Sequence, residues 1–463
     1  MRLDNAILES ELSERPFLAI ILAAGKGTRM KSNLPKVLHH IGGQALLAHV
    51  IALTTQSGAS KLGVVIGPDM ANVGQEATNN FASAMLFTQE AQKGTADAVL
   101  AARDLLQGFE GDVAVLYGDT PLITKDTIDA MRQKLAAGAD VCVIGFEADE
   151  PGGYGRLLTG EEGELIAIRE AKDASPDELK TTLCNSGVMG FRGERLLEIL
   201  DQIGNDNASG EYYLTDAVEI ARAKGLDAAT VTCSEREVLG VNSRAQLAEA
   251  DALFQAKMRA DAMDAGVTLI APETVYFSYD TKLGRDVIVE PNVFFGKGVT
   301  IEDGALIKAF SHFESVHIGQ SAVIGPYARL RPGTDIKNGG KVGNFVEIKN
   351  AVVEEGAKVN HLTYVGDAHI GAGANIGAGT ITCNYDGFNK HRTEIGRGAF
   401  IGSNSALVAP VKIGDGAFVG SGSVITKDVE ADALAVARGT QDVRPGWAAK
   451  FRAIMSRSKR KAS

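Results

Sequence analysis

Three groups of residues have the types and spacing to do chemistry. The first follows the apolar run FLAIIL, Phe17–Leu22, which leads directly into AAGKGTRMKSNLPK at 23–36. A glycine-rich turn after a strand aims backbone N–H groups at an anion. Arg29 and Lys36 add two fixed cations, which suits a triphosphate. The spacing is neither GxGxxG nor GxxxxGKS/T, so dinucleotide and Walker-type readings fail. The second group is Gly118-Asp119 after the apolar run 113–117, with QEAQKGT at 89–95. Asp119 suits one ligand of Mg²⁺, which takes oxygen donors and bridges phosphates, although a lone strand-end Asp is more often a cap. The amides of 89–95 could read a base edge. The third group is Arg331, Lys349, His361 and Tyr364, which break an otherwise regular apolar pattern. Arg331 and Lys349 lie 18 residues apart, one coil of the repeat described below, and would form a cationic ladder suited to a sugar phosphate. Counting 18 from His361 lands at about 379, in NIGAGT. Solvated charge on an outer face is the plainer alternative for this group.

The elements that must position these groups fall into two halves of different period. Up to about residue 265, short apolar runs at Phe17–Leu22, 62–66, 85–87, 113–117 and 141–146 alternate with helix-period stretches at 46–55, 96–106 and 127–135. That alternation predicts a mostly parallel sheet covered by helices, with ligands at the carboxyl ends of the strands. Residues 153–170 read as a hairpin that could wall a substrate cleft, and 243–265 as a long linking helix. From about residue 284 the period becomes six: Val289, Phe295, Ile301, Ile307, Phe313, then, after a one-residue slip, Ile318 onward to Ile376, and again Ile395 to Ile425. Small residues such as Ala322, Thr334 and Ser405 recur four places after the aliphatic one. A six-residue period fits a solenoid whose hexapeptides form the flat sides of a triangular coil. Cys383 to Glu394 leaves the period and reads as a protruding loop that could complete a site on a neighbouring subunit.

The 463 residues carry 47 Lys+Arg against 58 Asp+Glu, a net charge of -11, which argues against a nucleic-acid binder. No run approaches a membrane span, and MRLDNAILESELSERP at 1–16 is not a secretory signal. Four scattered cysteines without CxxC spacing argue against a zinc ribbon or a disulfide framework, so a cytoplasmic protein is expected. The basic C-terminal tail spans 441–463, and its stretch Lys450 to Lys461 is expected to be disordered.

LAAGKGTRM, LPK, YGD, GYGR, IREAKDA, NSG and GEYYLTD resemble the sugar-phosphate nucleotidyltransferases (pyrophosphorylases). With the hexapeptide half, residues 17 to about 447 resemble the bacterial bifunctional uridyltransferase/acetyltransferase family that makes UDP-N-acetylglucosamine for peptidoglycan and lipopolysaccharide. The resemblance implies a Rossmann-like α/β nucleotidyltransferase domain at 17–242 after an N-terminal extension at 1–16. A linker helix at 243–265 and a left-handed parallel β-helix acetyltransferase domain at 266–440 would follow. It places UTP and UDP-sugar contacts at Leu22, Ala23, Ala24, Gly25, Arg29, Lys36, Tyr117 and Gly118, with Gln89, Gly94 and Thr95 on the uracil. Asp119 and Asn242 would hold Mg²⁺, and Gly155, Glu170 and Asn185 the sugar; NSG stands where many relatives have NTG. In the second domain His361 would be the general base, a role an imidazole of reference pKa about 6.5 suits. Arg331, Lys349, Tyr364, Asn375 and Lys390 would bind the sugar phosphate, and Ala378, Asn384, Tyr385, Ser403, Ser421 and Arg438 acetyl-CoA. Ser421, where some relatives have Ala, would act through its backbone. A homotrimer with acetyl-transfer sites between subunits is implied, without nucleic-acid or membrane partners.

Two rivals remain at this point: a single-activity nucleotidyltransferase whose solenoid only oligomerises it, and a non-catalytic sugar-nucleotide sensor. His312, His317 and His369 could hold a metal between subunits, but their spacing follows the slips of the solenoid rather than a ligand pattern.

Overall fold

Burial shows why most of the apolar runs become strands; the run at 85–87, read from sequence as a buried strand, instead lies at the sheet edge with Met85 and Leu86 exposed. In the computed structural model, which describes residue 12 and residues 15–462, every residue of β1 (Phe17–Leu22) is buried, as expected where helices cover both faces of a sheet. The chain divides into two compact units, Met1–Met258 and Arg259–Ser463. The first holds a nine-stranded sheet built from β1, β2 (Lys61–Ile66), β3 (Met85–Thr88), β4 (Asp112–Tyr117), β5 (Val141–Glu147), the hairpin β6 (Arg156–Thr159) and β7 (Leu165–Arg169), β8 (Leu183–Arg192) and β9 (Ala228–Cys233). Its main order is β9-β5-β8-β4-β1-β2-β3, with β6 added on β8. β1 is parallel to β2 and β4, so Leu22 pairs with Val65 and Tyr117 and the ends of three strands open together.

Alternation along β1 sends side chains to two cores. Phe17, Ala19 and Ile21 pack with Leu47 and Val50 of α1 (Leu46–Gln56) and Ile128 and Met131 of α5 (Lys125–Ala136). Leu18, Ile20 and Leu22 pack with Val99, Leu196 and Val218 on the opposite face. The single helix expected at 96–106 is two, α3 (Thr95–Leu100) and α4 (Arg103–Leu106). Between them the Ala102 N–H reaches only back to Val99, three residues away, which tightens and ends the α-turns. Two strands had no sequence signal. β8 runs antiparallel between β4 and β5, and its register shifts between Asn185 and Met189; that bulge puts polar Asn-Ser-Gly inside the run and hides its period. β9 is only half-buried.

In the second unit the six-residue pattern becomes the interior. The aliphatic and aromatic positions of that pattern from Val289 to Ile425 are buried, as are the small residues Ala322, Thr334, Ser405 and Ser423. Val289, Ile307, Ile324, Val342, Val359, Ile376, Ile401 and Val419 stack in parallel register up one side of a left-handed parallel β-helix. The coil step is 18 residues in some turns and 17 in others, as from Val359 to Ile376. This corrects the partner of His361: the same step carries it to Ala378, not to 379. After Ile376 a coil also continues where the pattern looked broken. Thr382 takes the interior place, is buried, and its hydroxyl accepts the Gly366 N–H at 2.8 Å. The loop from Asn384 to Arg392 then leaves the coil, with Phe388 92% exposed at its tip.

The basic tail is not the disordered segment expected from its charge: Trp447–Ala462 is a helix, α9. Ala, Met, Lys and Arg are strong helix formers and need no buried face to adopt that conformation. The long helix α8 (Arg244–Asp264) is as anticipated. Among the described residues no helix is long and apolar enough to cross a membrane.

Candidate active sites

Where β1, β2 and β4 end, a cavity of about 270 Å³ opens, lined by Leu22, Ala23, Ala24, Gly25, Lys36, Gln89, Gly94, Thr95, Tyr117 and Asp119. All ten were expected from the sequence. Val37, Gln92, Ala98 and Glu211 also line it and were not assigned, although Gln92 and Glu211 lie within the quoted QEAQKGT and GEYYLTD. The loop is shaped by Gly27, whose φ of +59° is left-handed and whose Cβ would fall 2.6 Å from that of Lys36. Any other residue there would push the lysine stem away. The Lys36 ammonium lies between the Asp119 carboxylate, with which it is ion-paired, and Asn242 Oδ1 at 2.9 Å. Asn242 is kept beside Asp119 by the Val241 N–H, which donates to the Asp119 carbonyl at 2.9 Å. Gly118 adjoins this group, with Val37 packed where its Cβ would be. Arg29 does not join it: it sits exposed in the turn Thr28–Met30, outside the cavity lining.

Gln89 is buried, and its Nε2 donates to the Gly94 carbonyl (2.9 Å) and to Asp97 (2.8 Å). Both donors are therefore committed, and only the amide oxygen remains to accept from a base. Gly94 has a φ of +128°, and a Cβ there would meet the Tyr212 carbonyl oxygen at 2.5 Å. Thr95 Oγ1 accepts the Leu214 N–H, and Gln92 Nε2 donates to the Ala24 carbonyl at 2.6 Å, tying the two loops together.

The hairpin register pairs Arg156 with Arg169, which sets Gly155 opposite Glu170. The Asn185 N–H donates to the Gly155 carbonyl at 2.8 Å, so the three expected sugar residues meet, beside rather than within the cavity lining. Burial pushes the Glu170 carboxyl above its ordinary pKa, and Thr215 donates to it at 3.2 Å. Asp216, unassigned from sequence, is raised to about 6, chiefly by burial and then by Glu219.

On the β-helix the expected residues divide between two corners. At one, Lys349 pairs in register with Gly366, and the Arg331 N–H donates to the Ile348 carbonyl. Lys390 reaches the same place from the loop: it and Arg331 hold the Lys349 ammonium below the usual lysine value. Three cations crowd there, with Arg331 also paired to Glu347 at 2.7 Å. The Tyr364 hydroxyl and Asn384 Nδ2 crowd the open side of Gly366. Tyr385 stands exposed on the loop, bridged to Lys390.

His361 lies at the preceding corner, with the flat side containing Tyr364 and Val365 between. It is exposed, its Nδ1 is 2.6 Å from Asn344 Oδ1, and it edges a cavity of about 340 Å³ with Lys308, Lys341 and Asn360. The register Val359, Ile376, Ile401, Val419 places His361, Ala378, Ser403 and Ser421, each two residues on, in one column. Arg438 closes its end by donating from Nη1 to the Ser421 carbonyl at 2.6 Å. Coils about 4.8 Å apart make that column about 14 Å long, the shape for an extended chain-like ligand. Asn375 is on the flat side below, paired with Lys358. His317 is held between Asp335 (2.9 Å) and Glu302 (3.0 Å), which keep it above its ordinary pKa. His369 bonds Glu354, and His312 stacks on Phe294.

Residues 19–180 match the MobA-like NTP transferase domain family and residues 392–427 the bacterial transferase hexapeptide (six repeats) family. The chain is 59% identical over 448 residues to the bifunctional protein GlmU of Azorhizobium caulinodans, covering 97% of this chain and 100% of that one. It is 57% identical over 448 residues to that of Xanthobacter autotrophicus (97% and 100%) and 55% over 439 residues to that of Agrobacterium fabrum (95% and 97%). Fold and sites thus define a two-unit transferase, a nucleotidyltransferase joined to a hexapeptide-repeat acyltransferase. The chain belongs to the GlmU family. It is a bifunctional enzyme of UDP-N-acetylglucosamine synthesis, with nucleotidyltransferase and acetyltransferase activities that supply cell-wall precursors.

Proposed function

We propose that the first unit transfers uridylate from UTP to N-acetylglucosamine-1-phosphate through Lys36, Asp119 and Asn242, and that the second acetylates glucosamine-1-phosphate through His361. The observation that carries the first half is the convergence of the Asp119 and Asn242 oxygens on the Lys36 ammonium at the nucleotide cavity. Two oxygen donors already gathered around one cation fit Mg²⁺, whose remaining ligands come from phosphates and water. When bound, Mg²⁺ would neutralise charge on the phosphates. The chain's own part is positioning. The turn at 23–25 and Lys36 hold the phosphates, and the Gln89 oxygen, Gly94 and Thr95 take the uracil. Gly155, Glu170 and Asn185 hold the sugar. A phosphate oxygen of the sugar then forms a bond to the α-phosphorus as the bond to pyrophosphate breaks. The nucleophile is already ionised, so no protein base is needed. Gly94→Ala should lower UDP-sugar formation roughly tenfold or more by displacing the base loop, with acetyl transfer unchanged; equal pyrophosphate release would count against this role.

In the second unit the glucosamine amine attacks the thioester carbonyl, His361 takes the ammonium proton, and the proton passes to the departing thiolate. The column from His361 to Ser421, with Arg438, suits the arm of acetyl-CoA. Arg331, Lys349 and Lys390, with Tyr364 and Asn375, suit the sugar phosphate. A scaffold that only oligomerised the enzyme would need neither. Because these groups stand on different corners, we read the site as shared between copies of a homotrimer. A stacked column beside His361 supports this: Phe310, Tyr327 and Phe345 lie 4.9 and 5.0 Å apart, continue to Leu362, and are all about half exposed or more. Each has a left-handed φ between 50° and 60°, uncommon for bulky residues, and exposed apolar stripes mark association surfaces. Phe345→Glu should dissociate the trimer in sedimentation and lose acetyl transfer while uridylyl transfer persists; an intact trimer would refute the surface. The four free cysteines and the UTP and acetyl-CoA requirement suit the cytoplasm. Assaying CoA-thiol and pyrophosphate release on the purified protein tests the whole reading, and absence of either product overturns that half.

A further inference from the structure

The sequence VGNFVEIK places Asn344 one coil before His361, and the two are register partners. Four contacts bring their side chains together. Gly343 has no Cβ, and one there would lie 1.9 Å from the Asn360 carbonyl oxygen, so only glycine lets the coils approach this closely. The Leu362 N–H donates to the Asn344 carbonyl at 3.1 Å, and the His361 carbonyl accepts from the Gly379 N–H at 3.2 Å and from the Thr363 hydroxyl at 2.6 Å. The backbone on both sides of the ring is thereby held. Asn344 Oδ1 then meets His361 Nδ1 at 2.6 Å.

We propose that Asn344 is a positioning residue for acetyl transfer, which fixes His361 in the tautomer that carries hydrogen on Nδ1 and leaves the Nε2 lone pair free. An amide oxygen can only accept, so the ring nitrogen facing it must donate. In a neutral imidazole the other nitrogen is then the acceptor, and it is the one able to take a proton from the substrate amine. An amide rather than a carboxylate suits this place. A carboxylate would favour the protonated ring, which cannot act as a base. The other charged groups lining the cavity beside the ring are Lys308 and Lys341, both cations. Partners that orient metal-bound histidines are worth about 10 to 100-fold, and a loss of that order is expected here.

This rests on His361 being the base, and the experiment separates the two. Asn344→Leu and Asn344→Asp are measured beside His361→Ala in the full-length protein, with kcat and KM for acetyl transfer taken across pH. Asn344→Leu should lower kcat about 10 to 100-fold, with KM for glucosamine-1-phosphate within about twofold. Asn344→Asp should move the acid limb of the pH profile upward by about one unit or more and restore the rate above it. A full kcat in Asn344→Leu, or an unmoved acid limb in Asn344→Asp, overturns the proposal while a loss in His361→Ala leaves the base in place. Full activity in His361→Ala removes the base assignment and the proposal with it.

Discussion

Alanine at His361 is expected to lower acetyl transfer by about two orders of magnitude or more, with uridylyl transfer and thermal stability barely changed. A buried histidine would behave in the opposite way, because truncation would leave a cavity and an orphaned partner. His361 is exposed and loses only its bond to Asn344. His39 supplies the contrast: it is 6% exposed and bonded to Arg244, so His39→Ala should melt earlier. The measurement is CoA-thiol release with a melting curve on the same preparation. An early melt with normal acetylation would show that His361 is structural.

Asp119→Ala is expected to reduce Mg²⁺-dependent UDP-sugar formation to below about one-hundredth while acetyl transfer stays near wild type. Asp119 supplies the carboxylate of the cation cluster, and without it Lys36 keeps only the Asn242 oxygen. The fold should persist, since the bond that organises this stretch runs from the Val241 N–H to the Asp119 backbone carbonyl, which alanine retains. Independence of acetyl transfer follows because Asp119 and His361 belong to different compact units. Pyrophosphate release and thiol release are followed in parallel. Loss of both in a folded variant would mean that the two activities do not run separately.

The cavity lining shows how far local reading reaches. Ten of its residues lie in motifs contiguous along the chain, and the family resemblance those motifs carry assigned them before their placement. Arg29 sits in the same motif and points elsewhere, because the turn Thr28–Met30 carries it out to solvent. Gln92 was visible in QEAQKGT, but its bond to Ala24 crosses 68 residues and has no local signature. Tail charge misled for a related reason: composition suggested disorder, whereas helix propensity acts residue by residue, and the described side chains of α9, 447–457, are all exposed.

By itself the sequence determined the two folds and the chemical inventory, because strand alternation, the six-residue apolar period and glycine-rich turns act over a few residues. Tertiary structure alone decided the register. A coil step of 17 rather than 18 puts His361 in line with Ala378, and the bulge in β8 brings Asn185 to Gly155. Thr382 fills an interior place that its type would not suggest, because Gly366 on the coil below satisfies its hydroxyl. Those outcomes depend on how coils and strands stack across long stretches of chain. A one-residue slip costs little locally, yet it changes which side chains meet. So the separation of His361 from the Arg331, Lys349 and Lys390 corner became visible only once the coils were stacked.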